Sequence, residues 1–84
     1  MGKVKKLIKS LEEKDISIEI PAKKEYFIYK NKYNNKYTIE FSTVFSNGTS
    51  KTDQTIENYS KKELKRVIKD IFEEYDNIKI TYYS

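Results

Sequence analysis

The sequence predicts an α+β fold: a two-layer sandwich in which two amphipathic helices cover one face of a mainly antiparallel sheet of about five strands, in the order α-β-β-β-β-α-β. Three observations predict it. Two segments carry apolar residues at helical spacing, several others alternate apolar with polar residues, and an Asn-Gly pair between two alternating runs marks a hairpin. Eighty-four residues give room for one domain. A chain of that size hides about 64% of its unfolded surface, so the core is thin and each large apolar side chain matters.

The first helix spans residues 4–14. Val4, Leu7, Ile8 and Leu11 form one stripe, with Lys3, Lys5, Lys6 and Lys9 directed elsewhere. No N-cap residue precedes it, and lysines at its start oppose the helix dipole, so its first turn is expected to fray. Ile16, Ile18 and Ile20 alternate with Ser17 and Glu19 as a half-buried strand, which Pro21 ends because proline has no N–H for the ladder. Residues 25–30 form a second strand with bulk on both faces, and the Asn-rich run 31–36 is a turn. Residues 37–45 form the third strand, with Tyr37, Ile39, Phe41 and Phe45 on one face and Thr38, Glu40, Ser42 and Val44 on the other.

Asn47-Gly48 predicts a two-residue turn, both residues at positive φ, closed between Ser46 and Thr49. Counting from it places Phe45 opposite Ser50, Thr43 opposite Thr52, Ser42 opposite Asp53, Phe41 opposite Gln54 and Ile39 opposite Ile56. The returning strand, 49–57, is nearly all polar on both faces, which fits a sheet edge or a strand covered by something else. Ser60 and Glu63 form a capping box ahead of a helix over 61–75, whose stripe is Leu64, Val67, Ile68, Ile71 and Tyr75. Residues 78–83 complete the sheet, with Ile78, Ile80 and Tyr82 on one side.

What the chain lacks narrows its function. Without cysteine there is no disulfide, thiolate zinc site or sulfur nucleophile. Without histidine it loses the commonest general base near neutral pH and the commonest transition-metal ligand. Two glycines exclude Gly-rich phosphate cradles. The expectation is a non-catalytic protein with no cofactor, no metal and no small-molecule substrate. Lys5, Lys6 and Lys9 interrupt the leading apolar run, which is neither a signal peptide nor a membrane span. A cytoplasmic protein without a membrane partner is expected.

Charge supplies the candidates. Seventeen Lys and Arg against thirteen Asp and Glu give a net +4. Residues 1–36 hold ten lysines and five acids, net +5; residues 37–84 hold seven cations and eight acids, net −1. The second helix places Lys62, Lys65, Arg66 and Lys69 along one flank, and Lys30, Lys32, Tyr33 and Tyr37 interleave cations with rings around the 31–36 turn. These eight residues are the candidate partner contacts. The pattern fits a protein-binding surface, where Tyr supplies rigid contact area, and equally a stacking surface for RNA or single-stranded DNA. A solvated helix face and an ordinary hairpin turn in a chain biased to Lys, Asn, Ile and Tyr, the residues of A/T-rich codons, produce it too. The polar strand 49–57 is a further candidate, for extending a partner's sheet.

Leu7-Ile8, Leu11, Lys14-Asp15 and the alternating Ile16, Ile18 and Ile20 make a helix-turn-strand over about a quarter of the chain. This stretch resembles the type II-A anti-CRISPR proteins, small inhibitors that phages and mobile elements direct at host defence. The resemblance implies a binder of Cas9 that inhibits without catalysis, so the implied partner is a host protein or ribonucleoprotein such as a Cas effector. The best-known members are acidic and imitate DNA. This chain is net positive, and the resemblance then implies another mode, gripping guide RNA or an acidic protein surface. No inhibitory residue carries over from the family.

Overall fold

The computed structural model describes residues 2–21 and 23–84. Its elements follow the predicted order: α1 (Gly2–Ser10), β1 (Asp15–Ile20), β2 (Lys24–Lys30), β3 (Tyr37–Val44), β4 (Ser50–Tyr59), α2 (Lys61–Glu74) and β5 (Lys79–Tyr83). The first four strands form a meander. α2 then carries the chain back so that β5 adds beside β1, giving the strand order β4-β3-β2-β1-β5 with every neighbouring pair antiparallel.

Register explains where the core sits. Ile16 faces Ile28, Ile28 faces Ile39 and Ile39 faces Ile56, while Ile18 lies between Tyr26 and Ile80. Side chains alternate along each strand, so these residues share one face of the sheet. Val4, Leu7 and Ile8 from α1, Leu11 from the turn after it, and Leu64, Ile68 and Ile71 from α2 close over that face in a single cluster. Both helices therefore lie on the same side, and the other side of the sheet has no second layer. Tyr26 meets Phe41 edge-on, with ring centroids 5.4 Å apart, and extends the cluster toward β4.

The largest boundary differences from expectation fall at the first helix and at the β3–β4 hairpin. α1 begins at Gly2 and stops at Ser10, whose Oγ donates to the Lys6 carbonyl at 2.9 Å; such a back-bond competes with the helical ladder. Leu11 to Glu13 continue as a turn, and the Leu11 side chain is still buried.

The β3–β4 hairpin is the larger departure. The Phe45 N–H donates to the Thr49 carbonyl at 2.8 Å and the Gly48 N–H to the Phe45 carbonyl at 3.0 Å, so the loop has three residues and not two. Only Gly48 takes positive φ, at 88°. Asn47 instead uses its side chain, Oδ1 accepting from the Thr49 N–H (3.1 Å) and hydroxyl (2.7 Å). The longer loop moves the pairing near it, with Ser42 opposite Thr52, Thr43 opposite Lys51 and Val44 opposite Ser50, and leaves Phe45 outside the strand and 47% exposed. A bulge at Asp53 then restores the predicted register, Phe41 opposite Gln54 and Ile39 opposite Ile56. A second irregularity, at Asn58 (φ 65°), brings Tyr59 opposite Tyr37.

The capping box forms as predicted. The Glu63 N–H donates to Ser60 Oγ at 3.2 Å and the Ser60 N–H to Glu63 Oε1 at 3.3 Å. The Ser60 hydroxyl also donates to Glu63 Oε1 at 2.9 Å, and this bond, then that from the Ser60 N–H, holds the Glu63 carboxyl below its ordinary range. Ser60→Ala is expected to cost about 1 kcal/mol, which lowers Tm by roughly 4–8 °C in a domain of this size; circular-dichroism melts at neutral pH measure it. Because the folded pKa of Glu63 is depressed, its contribution is complete above the unfolded value of about 4.3. It is lost as pH falls further, and the gap between wild type and Ser60→Ala narrows in acid.

Candidate functional site

The two helices lie against each other, and turning their apolar stripes inward leaves their polar sides as one outer surface. α1 contributes Lys3, Lys5, Lys6 and Lys9 and no acid. α2 contributes Lys61, Lys62, Lys65, Arg66 and Lys69 against Glu63, Asp70, Glu73 and Glu74. All thirteen are exposed. Nine cations less four carboxylates leave this layer at +5.

A groove of about 330 Å³ runs between the helices, with Lys5, Lys9, Lys61 and Lys65 around Ile8 and Glu12. Glu12 does not neutralise it, because its Oε2 accepts from Lys30 Nζ at 2.5 Å. That hydrogen bond lowers the Glu12 carboxyl and raises the Lys30 ammonium. Lys61 sits at the amino end of α2, where the helix dipole adds to its positive field. The arrangement gathers positive charge between the helices.

Four of the predicted contacts belong to this surface. Lys65 lines the groove, and Lys62, Arg66 and Lys69 run beside it, next to Asp70 and Glu73. Neither Arg66–Asp70 nor Lys69–Glu73 closes to ion-pair distance; among the described residues that distance is reached by Lys30–Glu12 alone. The α2 cations keep their charge available.

Of the other four, Lys30, Lys32 and Tyr33 line a cavity of about 600 Å³ together with Tyr29, Asn34 and Glu57, and Tyr37 does not join them. Tyr37 is 2% exposed and belongs to the core cluster, so it is withdrawn from any contact face. Burial, then the neighbouring Glu12, raises its phenol pKa. Lys30 is half-buried and engaged by Glu12. Lys32 is exposed and Tyr33 fully so, at the tip of the β2–β3 turn. That turn is tied to β4 by Asn34 Nδ2, which donates to Asn58 Oδ1 at 2.8 Å. The interleaved cations and rings are thus Lys30, Lys32 and Tyr33, with Tyr29 beside them and Tyr37 withdrawn.

A second surface, absent from the sequence-based set, is the uncovered face of the sheet. Reading across the strands, Thr55, Glu40, Phe27, Ser17 and Thr81 form one row, and Ser42, Glu25, Glu19 and Lys79 form the next. Phe27 lies at the centre, its ring centroid 5.8 Å from that of Tyr29 and 5.9 Å from that of Tyr83. Beneath these rings Ser17 and Thr38 are fully enclosed. The Ser17 hydroxyl donates to Glu25 Oε2 at 3.0 Å and the Thr38 hydroxyl to Asn31 Oδ1 at 2.8 Å. Asp15, Glu19, Glu25, Glu40 and Glu57 share this face with Lys79, so it stands at −4. The signal for it in the sequence was the bulk on both faces of residues 25–30. In a two-layer fold one of those ring sets has to stay outside.

Among the described residues no group of three or more acidic side chains is placed to hold a metal ion, and no helix is long and apolar enough to cross a membrane. Comparison with protein-family models, curated protein sequences and solved structures returns no match to the chain.

Proposed function

We propose that the chain is a non-catalytic binding protein that occupies a surface of a host ribonucleoprotein, with the helical layer as its contact face and exposed phosphate backbone as what that layer grips. One observation carries this reading: the helices hold nine cations against four acids while the opposite sheet face is negative. Codon bias raises the number of lysines but does not sort them by face. Sorted charge steers one side of a molecule toward an oppositely charged partner.

The resemblance to type II-A anti-CRISPR proteins supplies the narrowest form, inhibition of a Cas nuclease by contact with its guide RNA. The test is target cleavage by Cas9–guide complex with increasing amounts of the protein, alongside pull-downs with Cas9 alone and with guide alone. Cleavage is expected to stop near a stoichiometric ratio, with capture depending on the guide. Undiminished cleavage at excess protein, together with a bacterial lysate that yields only ribosomes and bulk RNA, would rule out specific inhibition.

The runner-up, a single-stranded nucleic-acid module, is favoured by the exposed Lys32-Tyr33 tip. Against it, Tyr37 is buried and the three clustered rings of the sheet stand among carboxylates that repel phosphate. A gel shift on mixed-sequence single strands at low salt separates the two, since the module requires tight binding to bare strands and the inhibitor does not.

A further inference from the structure

We propose that the uncovered sheet face is a docking surface for a lysine- and arginine-rich protein segment, seated over the rings of Phe27, Tyr29 and Tyr83. This surface lies on the other side of the molecule from the helical layer and is independent of the function proposed for that layer.

The first argument is the cluster itself. Phe27 and Tyr29 are half-buried and Tyr83 is exposed, so a contiguous patch of ring surface stays in solvent with no helix assigned to it. Aromatic faces carry negative quadrupole density and attract ammonium and guanidinium groups.

Charge decides the occupant. Five carboxylates share this face with Lys79, Lys32 stands at its turn end beside Tyr29 and Glu57, and among the described residues none of the five carboxylates comes within ion-pair distance of a cation. Glu19 and Glu25 stand directly opposite each other on adjacent strands. A like-charged cross-strand pair works against folding. Glu25 accepts one hydrogen bond from Ser17, which satisfies one oxygen and leaves the charge in place. A cationic segment would neutralise the carboxylates and place alkyl stems and charged heads on the rings. Nucleic acid, which also seeks exposed rings, meets five negative charges here and is disfavoured. A second copy of the chain could offer only its helical layer, which mixes four carboxylates among its nine cations, whereas a lysine- and arginine-rich segment presents cations alone and matches the acids of the sheet better.

The experiment is a backbone-amide NMR titration of the full chain at low ionic strength with an oligoarginine peptide, with oligoglutamate and mixed-sequence single-stranded RNA in parallel. Oligoarginine is expected to shift resonances of Phe27, Glu40, Thr81 and Tyr83 and to leave those of α2 unmoved. Reversing two charges, Glu40→Lys with Glu57→Lys, is expected to weaken the peptide by about tenfold or more. Tyr83→Ala, an exposed side chain whose loss leaves the core intact, weakens it to a lesser degree. Lys62→Glu with Arg66→Glu leaves peptide affinity unchanged, which separates this proposal from that for the helices. Shifts spread over the helices, unchanged affinity in the charge-reversed variant, or RNA moving the sheet resonances would each overturn it. So would concentration-dependent self-association that disappears with Glu40→Lys and Glu57→Lys while the peptide produces no shifts, since the occupant would then be a second copy.

Discussion

Ile18→Ala is expected to be the most damaging single truncation in the chain, costing roughly 2–5 kcal/mol. Ile18 is fully enclosed on the interior strand β1, with Tyr26 on one side, Ile80 on the other and the helical layer above. Removing its three outer carbons leaves a cavity that a five-stranded sheet cannot close without breaking register. The effect is large in proportion to the whole. At ~0.05–0.15 kcal/mol per residue the domain has about 4–13 kcal/mol in total, and its thin core favours the lower part of that range. Urea melts compare the variant with Ile80→Ala, which truncates the half-buried neighbour on the edge strand β5. The Ile18 substitution is expected to cost at least about twice as much, because residual cavity volume scales with enclosure. Equal losses would mean that the helices do not seal this face.

The second large effect concerns the interhelical groove. Replacing Lys5, Lys9, Lys61 and Lys65 together by glutamine is expected to abolish most of the attraction to a phosphate-bearing partner while leaving stability nearly unchanged, since all four side chains are exposed. If each neutralises one phosphate on a single strand, binding scales with salt with a slope of about −2.8, a loss of roughly 50-fold between about 50 and 200 mM. The quadruple variant is expected to lose that slope as well as the affinity. Fluorescence anisotropy across a salt series, with the captured ribonucleoprotein as titrant, reads both at once. A weakened complex whose salt slope is unaltered would place the contact outside the groove.

The order of elements, both helical stripes, the edge position of 49–57 and the capping box were legible because each is written in local spacing. The hairpin was misjudged by one residue. Asn-Gly supports either a two- or a three-residue loop, and Asn47 bonds Thr49 through its side chain instead of taking positive φ. The register was nevertheless right from Phe41 to Ile39, since the bulge at Asp53 restores what the longer loop displaces, until Asn58 shifts it again at Tyr37. Tyr37 was assigned two incompatible roles, a partner contact and a neighbour of Ile39 and Phe41 on one strand face. Strand alternation decided it, and the residue is buried. For the Phe27–Tyr83 cluster the bulk on both faces of 25–30 signalled rings outside the core, but not which strand would bring a ring beside them. The cluster exists because α2 returns the chain to β1 and not to β4, and that choice of neighbour is made by packing across the whole sheet.

An open sheet invites further strands at both ends, and proteins that leave such ends smooth polymerise. Here one end is β5, only five residues long. The other is β4, which is long enough to be a hazard but is interrupted at Asp53 and Asn58 and carries Lys51, Asp53 and Glu57. An incoming strand would find its hydrogen-bonding row broken twice and would have to bury charge along the way. The same irregularities that adjust the hairpin therefore act against amyloid-type growth, and they leave the helical and aromatic faces, not the rim of the sheet, as the parts of this molecule suited to meeting others.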